Sequence, residues 1–279
     1  MNRYGLLGFP LGHTMSPPIH KRLFDLEGMT AEYSLFEIAP DELEARKDEL
    51  FALDGFNITI PHKGNIIPYL DELDSTAQRY SSVNCVSVKN GVKKGYNTDC
   101  DGFLRSIAAA GGSISGKVLQ CGCGGVGRMI AIESIRNGAE LTISVMEGFE
   151  NTVDPVREYA AANGIHTPIN VVHPDEIDIS GGFDTLINAT PVGMFPKVDA
   201  SPLDRKVIES AGFVFDVIYN PGETKLMSIA RANGATAAGG MAMLVWQAAV
   251  AHEYWTGAVY ANEDIEHIIS DMQEEMRNA

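Results

Sequence analysis

Short apolar runs alternate with amphipathic segments along most of the chain, in a strand–helix rhythm. Residues 3–8 (RYGLLG) read as a buried strand ending at a Gly-Phe-Pro turn. Ser16 before Pro17 reads as the N-cap and first position of a helix. Ile19, Leu23, Phe24 and Leu26 then recur at roughly helical spacing as far as Gly28. Residues 31–38 predict a second strand, 40–50 a helix, 56–60 a third strand, and 63–73 a helix that starts at the Pro61-His62 turn. Strand, helix, strand, helix, strand implies parallel pairing. Residues 83–88 and 91–95 predict a hairpin, because Lys89-Asn90-Gly91 carries the Asn-Gly tight-turn signal. A helix over 102–110 follows, and Gly111, Gly112 and Gly116 then break the pattern where a second unit begins.

That unit opens with Lys117 to Gly127 (KVLQCGCGGVG), an apolar strand running into a glycine turn. A helix over 128–136 and a strand over 140–145 complete a βαβ segment of the kind that binds a dinucleotide pyrophosphate. Gly122, Gly124 and Gly125 let the backbone approach phosphate, and the helix start offers unpaired N–H groups. A glycine turn that only permits close helix–strand packing is the alternative. The alternation continues with a helix over 151–163, strands over 168–172, 183–188 and 213–218, and a helix over 224–233. Asn188-Ala-Thr190 and Asp216-Val-Ile-Tyr219-Asn-Pro221 fall at expected C-terminal strand ends, where ligands collect in open α/β sheets. After Gly239-Gly240 comes an apolar helix over 241–257 carrying Gln247, and then a final helix over roughly 262–277. The fold class is α/β.

Composition narrows the function classes. The 279 residues suffice for one large or two medium domains. A net charge of −16, from 37 acids against 21 bases, argues against nucleic acid or an anionic membrane as the main partner. No stretch reaches the roughly 18 apolar residues of a membrane helix, and the N-terminal residues hold no secretory apolar run. Four cysteines (Cys85, Cys100, Cys121, Cys123) are sparse, so free thiols in a reducing cytoplasm are expected. Cys121-Gly-Cys123 lacks a second Cys or His cluster; both cysteines read as structural, and no metal site is expected.

Candidate chemistry concentrates between Gly55 and Asp101, where Lys63 follows Pro61-His62 and Asp99 follows Tyr96-Asn97-Thr98. Short strands interleave with these polar residues and would hold them in fixed positions. On position alone, Lys63 is equally a solvated charge at a helix start, and Asp99 the cap of the helix near Gly102. Asn84, Asn97 and Asn188 could be turn formers, and Gln247 a satisfied core amide.

The separated motifs line up with one family. They are Gly8-Phe-Pro10-Leu-Gly-His13-Thr14-Met-Ser16-Pro17-Pro-Ile-His20, Asn57-Ile-Thr59-Ile-Pro61-His-Lys63, Ser82-Val-Asn84-Cys85 and Gly95-Tyr-Asn97-Thr98-Asp99-Cys-Asp-Gly102-Phe103. Asn188-Ala-Thr190, Asp216 to Pro221 and Gly240-Met-Ala-Met243-Leu-Val-Trp-Gln247 follow in order. In this the chain resembles the shikimate dehydrogenases, including the quinate/shikimate enzymes, along nearly its whole length. The resemblance implies a substrate domain over 1–100, with helices of 241–279 packing back on it, and a Rossmann-type nucleotide domain over 101–240. It implies reversible NAD(P)-dependent oxidation of shikimate to 3-dehydroshikimate. Lys63 and Asp99 become the acid/base pair, since alcohol oxidation needs a base for the hydroxyl proton and a group to steady the developing alkoxide. Thr14 and Ser16 would hold the substrate carboxylate, with Tyr219 nearby. Thr59, Asn84, Asp99 and Gln247 would hold its hydroxyls. Gly122, Gly124, Gly125, Val126, Arg128, Glu147, Asn188, Thr190 and Gly240 would form the cofactor site. His13 and His20 occupy motif positions as structural residues, and monomer and homodimer are both compatible.

Three departures from the family pattern matter. Thr14 stands where the family has serine, which adds a methyl at the carboxylate end. Ser81-Ser82 and Cys85 replace Gly-Ala and threonine around Val83-Asn84. The Asn-Arg-Thr segment of NADP-using members falls on Val145-Met146-Glu147, which carries an acid and no arginine. An acid near this strand end suits a ribose 2′-hydroxyl, so NAD is favoured over NADP, with Arg128 a remaining cation near the glycine turn. NAD-dependent quinate/shikimate oxidation, or a ligand-binding paralogue without catalysis, are the alternative expectations.

Overall fold

The computed structural model describes residues 1–12 and 14–278; His13, which occupies a motif position, lies outside the described residues. The chain divides into two compact units, Met1–Gly102 with Val245–Met272, and Phe103–Leu244 with the residues from Gln273 onward. The boundaries fall inside the helices Thr98–Ala109 and Gly240–Trp255.

In the first unit, strands β1 (Asn2–Gly8), β2 (Ala31–Glu37), β3 (Gly55–Ile58), β4 (Glu72–Leu73), β5 (Cys85–Lys89) and β6 (Val92–Tyr96) form one sheet in the order β2-β1-β3-β5-β6-β4. β1 runs parallel to β2 and β3, as the β–α alternation requires, whereas β5 is antiparallel to both β3 and β6. Asn90 and Gly91 sit at φ 53° and 80°, the left-handed conformations that a two-residue hairpin turn needs. Alternation along β3 sorts its side chains. Phe56 and Ile58 enter a core with Leu7, Ile38, Leu50 and Val86. Asn57 faces the other side, where Tyr4, Phe24, Cys85 and Trp255 pack.

Three local expectations are corrected. The first helix spans Ser16–Leu26 with Met15 at its N-cap and no side-chain capping bond, so Ser16 is not the cap; its hydroxyl instead accepts from Thr14 Oγ1 at 3.3 Å. The helix after Pro61 covers only His62–Asn65, followed by a tight turn at Ile67–Tyr69. Pro68 has no N–H to donate and restricts the residue before it. Glu72–Leu73 then leave the helical path to pair with β6. The helix expected from Gly102 begins at Thr98. Asp99 therefore lies inside its first turn.

In the second unit, β7 (Lys117–Cys121), β8 (Glu140–Ser144), β9 (Ile169–Val172), β10 (Phe183–Asn188), β11 (Ala211–Asp216) and β12 (Thr236–Gly239) form a wholly parallel sheet. Its order, β12-β11-β10-β7-β8-β9, reverses direction at β7, the doubly wound arrangement with its switch point beside the glycine turn. Among the described residues no helix is long and apolar enough to cross a membrane.

Candidate active site

Strand direction brings the first unit's polar residues together. β3 and β6 run the same way and β5 runs against them, so the end of β3, the start of β5 and the end of β6 share one edge. Lys63 follows β3, Asn84 precedes β5 and Asp99 follows β6. The Val83 N–H also donates to the Lys63 carbonyl at 2.8 Å, tying the lysine's turn to the start of β5.

Lys63 Nζ donates to Asp99 Oδ2 at 2.6 Å, with the two side chains 26% and 17% exposed. The pair is sheltered but reachable, and two further N–H bonds of the ammonium remain for a ligand oxygen. Asp99 Oδ1 accepts from Asn84 Nδ2 at 2.9 Å. Asn84 Oδ1 accepts the Thr98 N–H at 2.7 Å, which satisfies one open donor of the helix start and fixes which way the amide faces. Gln247 Oε1 lies 3.3 Å from both Asn84 Nδ2 and Thr98 Oγ1. Asn84, Thr98 and Gln247 are buried. In this arrangement Gln247 acts on Asn84, and Asn84 acts on Asp99.

Thr59 is half-buried after β3, its N–H donating to the Leu7 carbonyl at 2.8 Å. Thr14 and Ser16 adjoin at the start of the first helix, where the Ser16 N–H also donates to Thr14 Oγ1. Tyr219 belongs to the second unit, after β11, and its ring is partly exposed.

The second unit's glycines divide into two kinds. Gly122 needs its φ of +81°, and a Cβ on Gly127 would come 2.8 Å from the Gly122 carbonyl oxygen, so the fold itself demands glycine at both. Among the described residues, a Cβ on Gly124 or Gly125 would meet nothing within 4 Å beyond its chain neighbours and its own helix. Packing does not ask for glycine there; an anionic group approaching the start of the helix Gly125–Arg136 does. The turn therefore fits a nucleotide pyrophosphate. Buried Gln120 braces it, donating to the Gly122 and Gly127 carbonyls, both at 2.8 Å. Val126 and Arg128 are exposed on the same turn.

Asn188 is fully buried and committed: Nδ2 donates to Asp216 Oδ1 at 3.0 Å and Oδ1 accepts from Thr190 N and Oγ1. It holds the loop after β10, where its Nδ2 also lies 3.3 Å from the Val192 carbonyl. Asp216 is fully buried; burial raises its carboxyl, against hydrogen bonds from Thr224, the Ile218 N–H and Asn188. Gly240 is required by crowding, since a Cβ there would collide with the Val217 carbonyl oxygen. Glu147 is exposed beyond β8, and the Gly148 N–H donates to the Glu150 carboxylate at 3.1 Å. His173, at the end of β9, reaches both the Val145 carbonyl and Glu150, at 3.3 and 3.5 Å. Cys121 and Cys123 are buried, their thiols pushed up to about 12 and about 11 by burial. Among the described residues no group of three His, Cys, Asp or Glu side chains is placed to hold a metal ion.

Asn57 and Thr98 sit inside the motifs of the sequence without an assigned role. Gln120 and His173 carry no local signal, because only pairing across the fold makes them polar partners.

An α/β protein with a doubly wound second unit, a glycine turn shaped for pyrophosphate and a sheltered Lys–Asp pair in its first unit has the parts of a nicotinamide-dependent dehydrogenase. Residues 6–86 match the family model for the shikimate dehydrogenase substrate binding domain. The chain is 37% identical over 260 residues to the shikimate dehydrogenase (NADP(+)) of Caldanaerobacter subterraneus subsp. tengcongensis, covering 92% of each chain. It is similar in structure to shikimate 5-dehydrogenase from Listeria monocytogenes in complex with shikimate and NAD (TM-score 0.86, 29% identity, 96% of each chain covered). It is similar, too, to the Thermus thermophilus enzyme in complex with NADP(H) and shikimate (TM-score 0.82, 29% identity, 98% of this chain and 100% of that one covered). The chain belongs to the shikimate dehydrogenase family.

Proposed function

We propose that this protein oxidises a ring hydroxyl of shikimate reversibly to 3-dehydroshikimate, with Lys63 and Asp99 as the acid/base pair. The observation that carries the reading is the 2.6 Å Lys63–Asp99 bond, held from behind by Asn84. Oxidation needs a group that accepts the hydroxyl proton and a positive charge that steadies the alkoxide. Lys63 Nζ takes the hydroxyl proton in oxidation as the neutral amine, becoming the ammonium, and as the ammonium returns it in reduction. Asp99 keeps Nζ aimed and stabilises the ammonium form. A bound nicotinamide nucleotide supplies the hydride acceptor. Within the first unit, Thr14 and Ser16 hydroxyls hold the carboxylate end, while Thr59, Asn84 and Gln247 define the hydroxyl side. The first unit is the substrate unit and the second the nucleotide unit, with Gly124, Gly125, Val126, Arg128 and Thr190 on the nucleotide side.

NAD is the preferred cofactor in this reading. The segment Val145 to Glu150 holds two carboxylates and no arginine or lysine, and Glu147 is exposed at its centre. A carboxylate there accepts a hydrogen bond from a ribose 2′-hydroxyl and repels a 2′-phosphate. Arg128 is the cation that favours NADP, the cofactor for which the curated relative is named. Four free, buried cysteines support a reducing compartment.

The test is kcat/KM for shikimate and quinate with each nucleotide. The expected order puts shikimate with NAD first. A preference for NADP by about tenfold, ~1.4 kcal/mol, overturns the cofactor assignment. Absence of turnover with either acid and either nucleotide overturns the activity.

A further inference from the structure

In the first unit, on the side of β3 to which Asn57 points, lies a buried polar chain that the proposed reaction does not use. Glu27 Oε1 accepts the Tyr260 hydroxyl and pairs with His252 Nδ1. His252 Nε2 meets His20 Nδ1 at 2.9 Å, and both imidazoles are fully buried. The His20 ring stacks on Tyr33, with centroids 4.2 Å apart. Tyr33 Oη donates to Asn57 Oδ1 at 2.9 Å. Asn57 Nδ2 points to the Asn84 carbonyl at 3.4 Å, and Asn84 is the residue that holds Asp99.

The chemistry of the groups gives this chain a direction. A carboxylate only accepts, so His252 carries its proton on Nδ1 and, when neutral, offers a lone pair at Nε2. His20 must then carry its proton on Nδ1 as well. That leaves His20 Nε2 a bare lone pair, buried and without a hydrogen-bond partner among the described residues. Asn57 is the amide facing this ring. Its contact acts to raise His20 against the effect of burial, and its orientation is set by its own two bonds, Oδ1 accepting from Tyr33 Oη and Nδ2 donating to the Asn84 carbonyl. Tyr33 in turn faces the Ser16 hydroxyl. Burial pushes both imidazoles below their ordinary range, with the neighbouring His252 adding to the effect at His20. Burial pushes Glu27 up, and hydrogen bonds from His252, Tyr260 and Thr256 reverse it, so the carboxyl is held low. A neutral pair beside an anion is the state the geometry needs.

We infer that Glu27, His252 and His20 are positioning residues: a one-way hydrogen-bond relay fixes the His20 ring, the ring packs Tyr33 in place, and Tyr33, through Asn57 and the Asn84 backbone, orients Ser16 and Asn84 for the substrate. The inference rests on the reading of Ser16 and Asn84 as substrate-side groups. Loss of the relay acts on shikimate affinity and leaves the nucleotide unit untouched.

The test joins 15N NMR of histidine-labelled full-length protein with steady-state kinetics. Wild type shows His20 and His252 neutral, each with its proton on Nδ1. In His252→Phe the His20 proton moves to Nε2 and KM for shikimate rises about tenfold, while kcat and nucleotide KM stay within about twofold. Glu27→Leu reproduces the shikimate defect, and Glu27→Gln, which keeps an acceptor oxygen, restores most of it. A His20 proton on Nε2 in wild type overturns the relay without recourse to any variant. So does an unchanged shikimate KM in folded His252→Phe and Glu27→Leu. Calorimetric titration of wild type with shikimate separates the two readings: no binding and no turnover overturn the proposed function and the relay's substrate role together, whereas normal binding with the wrong tautomer overturns the relay alone.

Discussion

Asn84 and Asp99 are locked by an amide that has only one workable orientation. Nδ2 of Asn84 donates to Asp99 Oδ1 at 2.9 Å because Oδ1 of the same amide is committed to the Thr98 N–H at 2.7 Å. Turning the amide over would cost both bonds at once. Lys63 approaches the other carboxylate oxygen of Asp99, so the carboxylate is fixed from two sides.

Asn84→Asp keeps the shape but sets an acceptor against the Asp99 carboxylate. The expected loss is ~3 kcal/mol in transition-state stabilisation, about 100-fold in kcat/KM, on the scale of a hydrogen bond to a charged group. Steady-state kinetics beside thermal unfolding checks it. A fall in melting temperature with kcat/KM unchanged would contradict the positioning role.

The two kinds of glycine separate folding from binding. Gly125→Ala places its Cβ in open space, so the melting temperature should hold within about 2 °C, while KM for the nucleotide rises about tenfold. Gly127→Ala drives a Cβ against the Gly122 carbonyl and should destabilise by ~1–3 kcal/mol. Thermal unfolding and nucleotide titration of the two variants check the contrast.

At the end of β8, Glu147→Arg replaces a carboxylate with a guanidinium that can hold a phosphate. The ratio of kcat/KM for NADP over NAD should rise by about 100-fold, from removal of repulsion together with gain of an ion pair. Measurement of both nucleotides against one shikimate concentration series gives that ratio directly.

Acid stability should follow the buried imidazoles. His20 and His252 have folded-state values below the ordinary 6.5, so below that pH the unfolded chain binds more protons than the fold. Their contribution is full above about pH 7 and declines on acidification, by at most ~1.4 kcal/mol per pH unit for each imidazole. Glu27, held low in the fold, acts with the same sign in a lower window. Asp216, raised by burial, opposes them there, since its protonation favours the fold. Denaturant unfolding between pH 7.5 and 5.5 should show a decline that His252→Phe reduces by about one proton's worth.

Most strands of both units were legible because their apolar runs are bounded by turn residues, as in the antiparallel hairpin at Asn90-Gly91. The pairing of Lys63 with Asp99 that the structure brings about was expected from motifs rather than from any local property. The two-residue strand Glu72–Leu73 and the alanine-rich strand Thr236–Gly239 were not legible, since each exists only by pairing with a distant neighbour. The helix Ser75–Tyr80 is short, and its signal is the Asp74 side chain accepting the Ala77 N–H at 2.8 Å. Glu27 and His252 lie 225 positions apart. No periodicity joins residues at that separation, and the unremarkable Glu27 gains its meaning only when the last helices return to the first unit.

The most direct test of the central claim is turnover by Lys63→Ala with shikimate and nucleotide, alongside its melting temperature. Loss of the acid/base group should lower kcat by about 10²–10⁴. The fold should persist within a few degrees, because Asp99 keeps its bond from Asn84. A folded Lys63→Ala protein that oxidises shikimate within about threefold of the wild-type rate would contradict the account.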